Sequence, residues 1–224
     1  MHKTITSTVE DYLKIIFELT QEQERASTNE IAEQMGVTAA STTGMIQRLA
    51  SIHPPLVDYQ KHRGVALTSE GRQNALEVIR HHRLLEVFLY EKLGYSWDEV
   101  HDEADRLEHV ISEELEERIS KTLGDPAYDP HGDPIPTREF HMPDRSTDRL
   151  SELKPGDRAR VSRISDADPN LLRYLSSIGL IPNNVVTVLE SSPYDGNLQI
   201  QVGESQSPVV LGLRVTSQVF IKLT

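Results

Sequence analysis

Apolar residues in the opening segment return at helical spacing. In STVEDYLKIIFEL, positions Tyr12, Leu13, Ile16, Phe17 and Leu19 gather toward one side, predicting an amphipathic helix. Ser7-Thr8-Val9-Glu10 reads as the capping box that opens it. A second box, Ser27-Thr28-Asn29-Glu30, precedes EIAEQM, and Gly36 supplies a left-handed stop. Thr38 can then cap AASTTGMIQRLA, so the pattern is helix, tight turn, helix, with small polar residues early in the second. Pro54-Pro55 ends that run. Residues 56–59 and 65–67 alternate as short strands about a Lys61-His62-Arg63-Gly64 turn. Two helices followed by a hairpin describe a winged helix; the plainer reading is a small helical domain carrying a hairpin.

The periodicity then lengthens. From Arg72 a long helix is expected through QNALEVIRHHRLLEVFLYEKL, closed by Gly94, and Ser96-Trp97-Asp98-Glu99 should cap a helix containing VHDEADRLEHVISEEL. After Leu123, GDPAYDPHGDPIPTREFHMPDRS is rich in Pro, Gly and Asp and reads as a connector without regular structure. Beyond Leu150 the runs LKPGDRARVSRI, LIPNNVVTVLESS, LQIQVG and VFIKLT are short and β-like, interrupted by one helical stretch, NLLRYLSSIG. They predict a small SH3-like β-barrel. The expected fold is mainly α with a small β part. Its divisions are a winged helix-turn-helix over 1–72, a helical domain over 73–142, a linker over 143–149 and the barrel over 150–224.

Composition narrows the possibilities. A chain of 224 residues suits two or three small domains. Its mean hydropathy of −0.44, the lack of a membrane-length apolar run and a start without a signal-peptide core lead us to expect a cytoplasmic protein with no membrane partner. There are no cysteines, so any metal must be held by carboxylate, imidazole, carbonyl or water. The net charge of −12 opposes indiscriminate contact with phosphate but leaves room for a local basic patch.

The acidic segment carries the candidate chemistry. On one continuous helix His101, Asp105, Glu108 and His109 would fall at i, i+4, i+7 and i+8 and share a face, while His82 and Glu86 form an i, i+4 pair on the preceding helix. Asp11 leaves the apolar side of the first helix beside Tyr12. Crowded carboxylates repel one another, and a divalent cation reverses the sign of that repulsion. The bland alternative is a solvated acidic face on a metal-independent regulator. A metallohydrolase is the rival from another class, but the chain has no H-E-x-x-H, no phosphate loop and no nucleophile–base pair near these helices, so no enzymatic activity and no small organic substrate are expected.

These residues, together with EDYLKIIFEL, EIAEQMGVTAASTTGMIQRL, HHRLLEVFL, DPHGDPIP and GLIPNNVVTV, resemble the diphtheria toxin repressor family of metal-dependent transcriptional regulators, and within it the manganese-responsive branch. The resemblance covers essentially the whole chain and extends to a FeoA-like barrel. It implies a homodimer on double-stranded operator DNA, repressing metal-uptake genes. Two metal sites per subunit are implied. A regulatory site would use Asp11, Asp105, Glu108 and His109, with His82 near enough to join. An ancillary site would use Glu86 and His101, with Asp129 and His131 from the connector and Asp168 from the barrel. Leu171 stands where some relatives have a liganding glutamine. Lys14 stands where some manganese sensors have a glutamate ligand, which argues against a closely spaced pair of ions there. Hard oxygen donors at Asp11 and Asp105 favour Mn(II), with Fe(II) the alternative.

For DNA, Thr38, Ala39, Ala40, Ser41 and Thr43 are the expected reading residues, since hydroxyls reach phosphates or base edges and alanine methyls can meet thymine methyls. Gly44 offers no side chain. Arg48, Lys61 and Arg63 are expected at phosphates. Leu85, Phe88 and Leu89 are expected at the dimer interface, with intradomain core as the competing assignment.

Overall fold

The structure, a computed structural model, describes residues 5–165, 168–203 and 207–224. The chain divides into two compact units. The first runs to His81 and takes in Glu108–Ile111 and Pro136–His141; the second comprises His82–Leu107, Ser112–Ile135 and Met142–Thr224.

In the first unit, helices α1 (Ser7–Leu19), α2 (Thr28–Met35) and α3 (Ala39–Ser51) precede a hairpin of β1 (Val57–Gln60) and β2 (Gly64–Leu67), paired Val57 to Leu67. Ala26 adds a bridge to Val65. The buried face is the expected one: Tyr12, Leu13, Ile16 and Phe17 from α1, Ile31 from α2, Ile46 and Leu49 from α3, and Val57 and Val65 from the hairpin. The capping box of α2 forms, with Ser27 Oγ accepting from the Glu30 amide at 3.2 Å and Glu30 accepting from the Ser27 amide at 2.8 Å. These bonds hold the Glu30 carboxyl below its usual range. Gly36 closes α2 at φ +65° and Thr38 caps α3. The box expected at Ser7 does not form. There α1 begins at Ser7 with Thr6 at the cap position and no side-chain cap, because the Glu10 carboxylate is engaged by an imidazole instead.

Helix α4 (Ser69–Leu93) is continuous and starts three residues earlier than expected, with the Thr68 hydroxyl accepting from the Gly71 amide at 3.1 Å. The larger departure lies downstream. The acidic helix is broken: α5 (Val100–Leu107) stops at Leu107, and α6 (Glu113–Thr122) begins anew with Ser112 as its cap. Glu108 and His109 therefore lie in the turn between them and do not share a helical face with His101 and Asp105.

In the second unit a one-turn 3-10 helix (Leu150–Glu152) leads into β3 (Arg158–Ile164), α7 (Pro169–Ser177), β4 (Val185–Ser191), β5 (Leu198–Val202), β6 (Val209–Leu211), the single-turn α8 (Leu213–Thr216) and β7 (Val219–Leu223). The antiparallel sheet has the order β6-β5-β4-β3-β7, a meander whose last strand returns beside its first, the strand arrangement of an SH3-like barrel. Strand β6 and helix α8 were not apparent in the hydropathy pattern. The core is aliphatic, built on Leu150, Ala159, Val161, Leu172, Leu175, Val186, Val188 and Ile200, with Trp97 packed against it. Leu85 and Leu89 are each 3% exposed, so they serve the interior of the single chain and not a free dimer face. Among the described residues no helix is long and apolar enough to cross a membrane.

Candidate metal centres and DNA-reading surface

The first cluster assembles within the first unit. Asp11 projects from α1, while Glu108 and His109 come from the turn after α5, and their donor atoms lie within 4.8 Å of one another. His109 Nε2 stands 2.8 Å from Asp11 Oδ1 and 3.4 Å from Glu108 Oε1. Its other nitrogen, Nδ1, meets Glu10 Oε2 at 2.6 Å. An ionised carboxylate only accepts, so in a neutral ring an Nδ1–H donating to Glu10 leaves an Nε2 lone pair facing two more carboxylates. That arrangement is repulsive unless a proton or a metal ion lies between them, and a carboxylate behind a liganding imidazole is the usual second partner of a metal site. Lys14 Nζ holds Glu108 Oε2 at 2.9 Å, and the buried His81 ring meets the Glu108 carbonyl at 3.1 Å through Nδ1. Burial, opposed by His109, pushes the Asp11 carboxyl upward from its ordinary value.

The second cluster lies within the second unit. Glu86 is fully buried on α4, and three imidazoles converge on its Oε1: His82 Nε2 at 3.0 Å, His101 Nδ1 at 3.3 Å and His131 Nδ1 at 3.8 Å. The far nitrogens have acceptors of their own. His82 Nδ1 lies 3.2 Å from Asp105 Oδ1, His101 Nε2 lies 3.6 Å from Asp105 Oδ2, and His131 Nε2 donates to the Trp97 carbonyl at 2.7 Å. A carbonyl cannot donate, so His131 Nε2 carries a proton. Glu86 Oε2 is buried without a hydrogen-bond partner. Burial alone would raise the Glu86 carboxyl; attraction to His82 and hydrogen bonds from His101, His131 and His82 hold it well below the usual carboxylate range. Three imidazoles converging on one buried carboxylate, whose second oxygen has no hydrogen-bond partner, fit a divalent cation held by imidazole and carboxylate.

The ten expected ligands thus fall unevenly. Asp11, Glu108 and His109 come together as anticipated from the resemblance. Asp105, expected with them, faces His82 and His101. His82 and His101 join Glu86, and Asp129 and His131 complete a further group on the same carboxylate. Asp129 Oδ1 accepts from the amides of His131 and Asp133, at 2.8 and 3.0 Å, fixing the connector's turn. Burial, reinforced by Glu86 and Asp133, raises its carboxyl well above the ordinary value. Asp168 is used differently: it caps α7, accepting from the amides of Asn170 and Leu171, and among the described residues it stands in none of the convergent groups. Sequence reasoning missed Glu10, assigned to a cap, and the Lys14–Glu108 pair; the adjacency of Glu10 to Asp11 was the available signal.

The residues expected to read DNA lie on the first unit. Thr38, Ala39, Ala40, Ser41 and Arg48 are exposed on or beside α3, and Lys61 and Arg63 at the tip of the hairpin. Thr43 is half-buried and its hydroxyl already donates to the Ala39 carbonyl at 2.8 Å. A side chain at Gly44 would meet nothing within 4 Å. Tyr12, adjoining Asp11, places its hydroxyl 3.4 Å from Thr42 Oγ1 on the buried side of α3.

Residues 4–65 match the family described as iron dependent repressor, N-terminal DNA binding domain; residues 68–137 match its metal binding and dimerisation domain, and residues 149–223 a FeoA domain. The iron-dependent repressor IdeR of Mycobacterium leprae is 37% identical over 205 residues, covering 84% of this chain and 86% of that protein. The chain belongs to the diphtheria toxin repressor family. As a member it is a metal-dependent transcriptional repressor, with a DNA-binding and a dimerisation domain. Solved family members extend the match. A manganese-dependent transcriptional repressor in complex with manganese is 40% identical, with a TM-score of 0.89 over 96% of this repressor and 100% of that chain. The manganese regulator SloR is 33% identical, with a TM-score of 0.79 over 98% and 100%.

Proposed function

We propose that this repressor is activated by Mn(II), one ion at the Asp11–Glu108–His109 cluster and one at the Glu86 cluster, and that the loaded homodimer shuts off metal-uptake genes. The observation that carries the reading is the 2.8 Å approach of His109 to Asp11. It ties a segment flanked by the metal-binding helices to the helix whose next residue, Tyr12, meets the recognition helix. An ion bound there would supply the positive charge that lets Asp11 and Glu108 stay together. Asp11 and His109 then hold α1, and Tyr12 and Thr42 hold α3 to it, narrowing the range of positions open to the reading head. A dimer must present two such helices about one DNA turn apart, ~34 Å, so a narrower range raises operator affinity by favouring the competent state.

Manganese is favoured by the donor set, which is oxygen and imidazole in both clusters with no thiolate in the chain. Iron is the second reading, supported by the 37% identity to an iron-dependent repressor. Anaerobic titration of operator binding separates them: half-activation is expected at a lower free concentration of Mn(II) than of Fe(II), and the reverse order would assign iron. On the DNA side, Ser41→Ala is expected to change the preferred operator sequence, while Arg63→Ala weakens all sequences alike and reduces the salt slope by about one. Binding assays on a panel of operator variants check this, and matching profiles for the two substitutions would contradict the division.

A further inference from the structure

We infer that the cavity enclosed by the end of α4, the connector and the barrel is a binding site for a small organic acid, its carboxylate held by Arg160 and Lys222 and its body by the apolar walls. The cavity measures about 580 Å³, within the range usual for small-molecule sites. All of its lining residues belong to the second unit. Val87, Trp97, Tyr128, Pro130, Ile181 and Pro182 make the walls.

Charge points to an anion. Arg160 on β3 and Lys222 on β7 are register partners in the antiparallel sheet and both line the cavity. Like charges directly opposite one another destabilise a strand pair. Arg160 Nη1 donates to the Asn183 carbonyl at 2.7 Å, which orients the guanidinium without neutralising it. Among the described residues neither cation stands in an ion pair. Three carboxylates share the lining: Glu91, Asp129 and Asp144. Glu91 accepts from Lys92 at 3.4 Å. Asp129 Oδ1 accepts from the amides of His131 and Asp133, and Asp129 Oδ2 lies 3.6 Å from Arg83. Asp144 is left against two cations, an excess of one positive charge that a monoanion would balance.

Hydrogen bonding points the same way. Trp97 Nε1 and Ser162 Oγ are buried without a hydrogen-bond partner, and both residues line the cavity. A buried polar group left unsatisfied is costly, and an indole N–H can only donate. Donors and cations together call for a carboxylate or a phosphate; the apolar and aromatic walls add a hydrocarbon body and so favour the organic acid.

The chain's one tryptophan makes the site visible, because its indole N–H gives a single cross-peak in a proton–nitrogen correlation spectrum of the full-length protein. Metal-free protein is used, so the outcome is independent of the metal clusters. Benzoate is the probe, and a saturable shift of that cross-peak is expected. Benzamide, with the same shape and no charge, should bind roughly tenfold more weakly, as should benzoate to a protein carrying both Arg160→Gln and Lys222→Gln. Lys222→Gln alone, at an exposed position, should weaken benzoate several-fold and serves if the double variant does not fold. No shift with benzoate, benzamide binding as tightly, or undiminished binding in the folded charge variants would overturn the site. Displacement of benzoate by an equal concentration of inorganic phosphate would overturn the organic acid as its ligand.

Discussion

His109→Ala is expected to remove the Mn(II) response of operator binding while leaving the weak metal-free affinity in place. His109 Nε2 faces both Asp11 and Glu108, and its ring is oriented from behind by Glu10 at 2.6 Å. Deleting outer-shell partners of metal ligands costs 10–100-fold in affinity, so loss of the ligand itself should weaken Mn(II) at this cluster by about 100-fold or more. Linkage in such systems is worth about 1–3 kcal/mol, which is the part of operator affinity that should vanish. Glu10→Gln provides the graded control: the imidazole remains but loses its anionic partner, and a loss of about tenfold in Mn(II) affinity is expected. Calorimetry for the metal and fluorescence anisotropy for DNA read the two quantities separately.

Gly132→Ala is expected to disable the other cluster without touching the first. Gly132 has φ +91°, and a Cβ there would lie 2.0 Å from the Ser162 carbonyl and 2.9 Å from Arg163 Cα. Both are backbone atoms of β3 and cannot move aside alone. The same stretch of connector is fastened to β3 by the Ile164 amide donating to the His131 carbonyl at 2.9 Å, and by Asp133, 3.6 Å from Arg163 and 3.3 Å from Arg145. Overpacking together with an unfavourable backbone angle should destabilise the protein by about 2–5 kcal/mol and pull His131 away from Glu86. Trp97, the chain's one tryptophan, stacks on His131 with ring centroids 5.6 Å apart, so quenching of its fluorescence by paramagnetic Mn(II) reports this cluster. The quenching should require at least tenfold more Mn(II) in the variant, with Mn(II) binding by the Asp11 cluster unchanged. Equal weakening at both clusters would show instead that the substitution loosens the protein as a whole.

The winged helix could be read from the chain because each local rule agreed with the others: two capping signals, a left-handed Gly36, and apolar spacing that switches from helical to alternating at Pro54-Pro55. The barrel's short strands declared themselves in the same way, apart from β6, only three residues long, and α8, a single turn. The break after Leu107 could not be read. VHDEADRLEHVISEEL has helical periodicity throughout, and only Ser112, a cap residue in mid-run, hints that the helix restarts. That one break puts Glu108 and His109 in a turn, with His109 beside Asp11 of α1, while Asp105 stays on α5 facing His82 and His101. Glu10 shows a similar competition. Its position suits a capping box, but an imidazole ninety-nine residues away along the chain takes the carboxylate, a long-range partner that no local pattern displays.

The relation between metal and DNA is tested most directly by its reciprocal. If occupancy of the Asp11–Glu108–His109 cluster selects the operator-competent form, the operator must tighten Mn(II) at that cluster by the same factor by which Mn(II) tightens the operator. Mn(II) affinity should therefore be measured with and without a saturating promoter fragment that footprinting shows the repressor to protect. The expected result is an increase of roughly 5–150-fold, equal within error to the gain in DNA affinity and absent in Asp11→Asn. Unchanged Mn(II) affinity with the DNA bound, or an undiminished gain in Asp11→Asn, would contradict it.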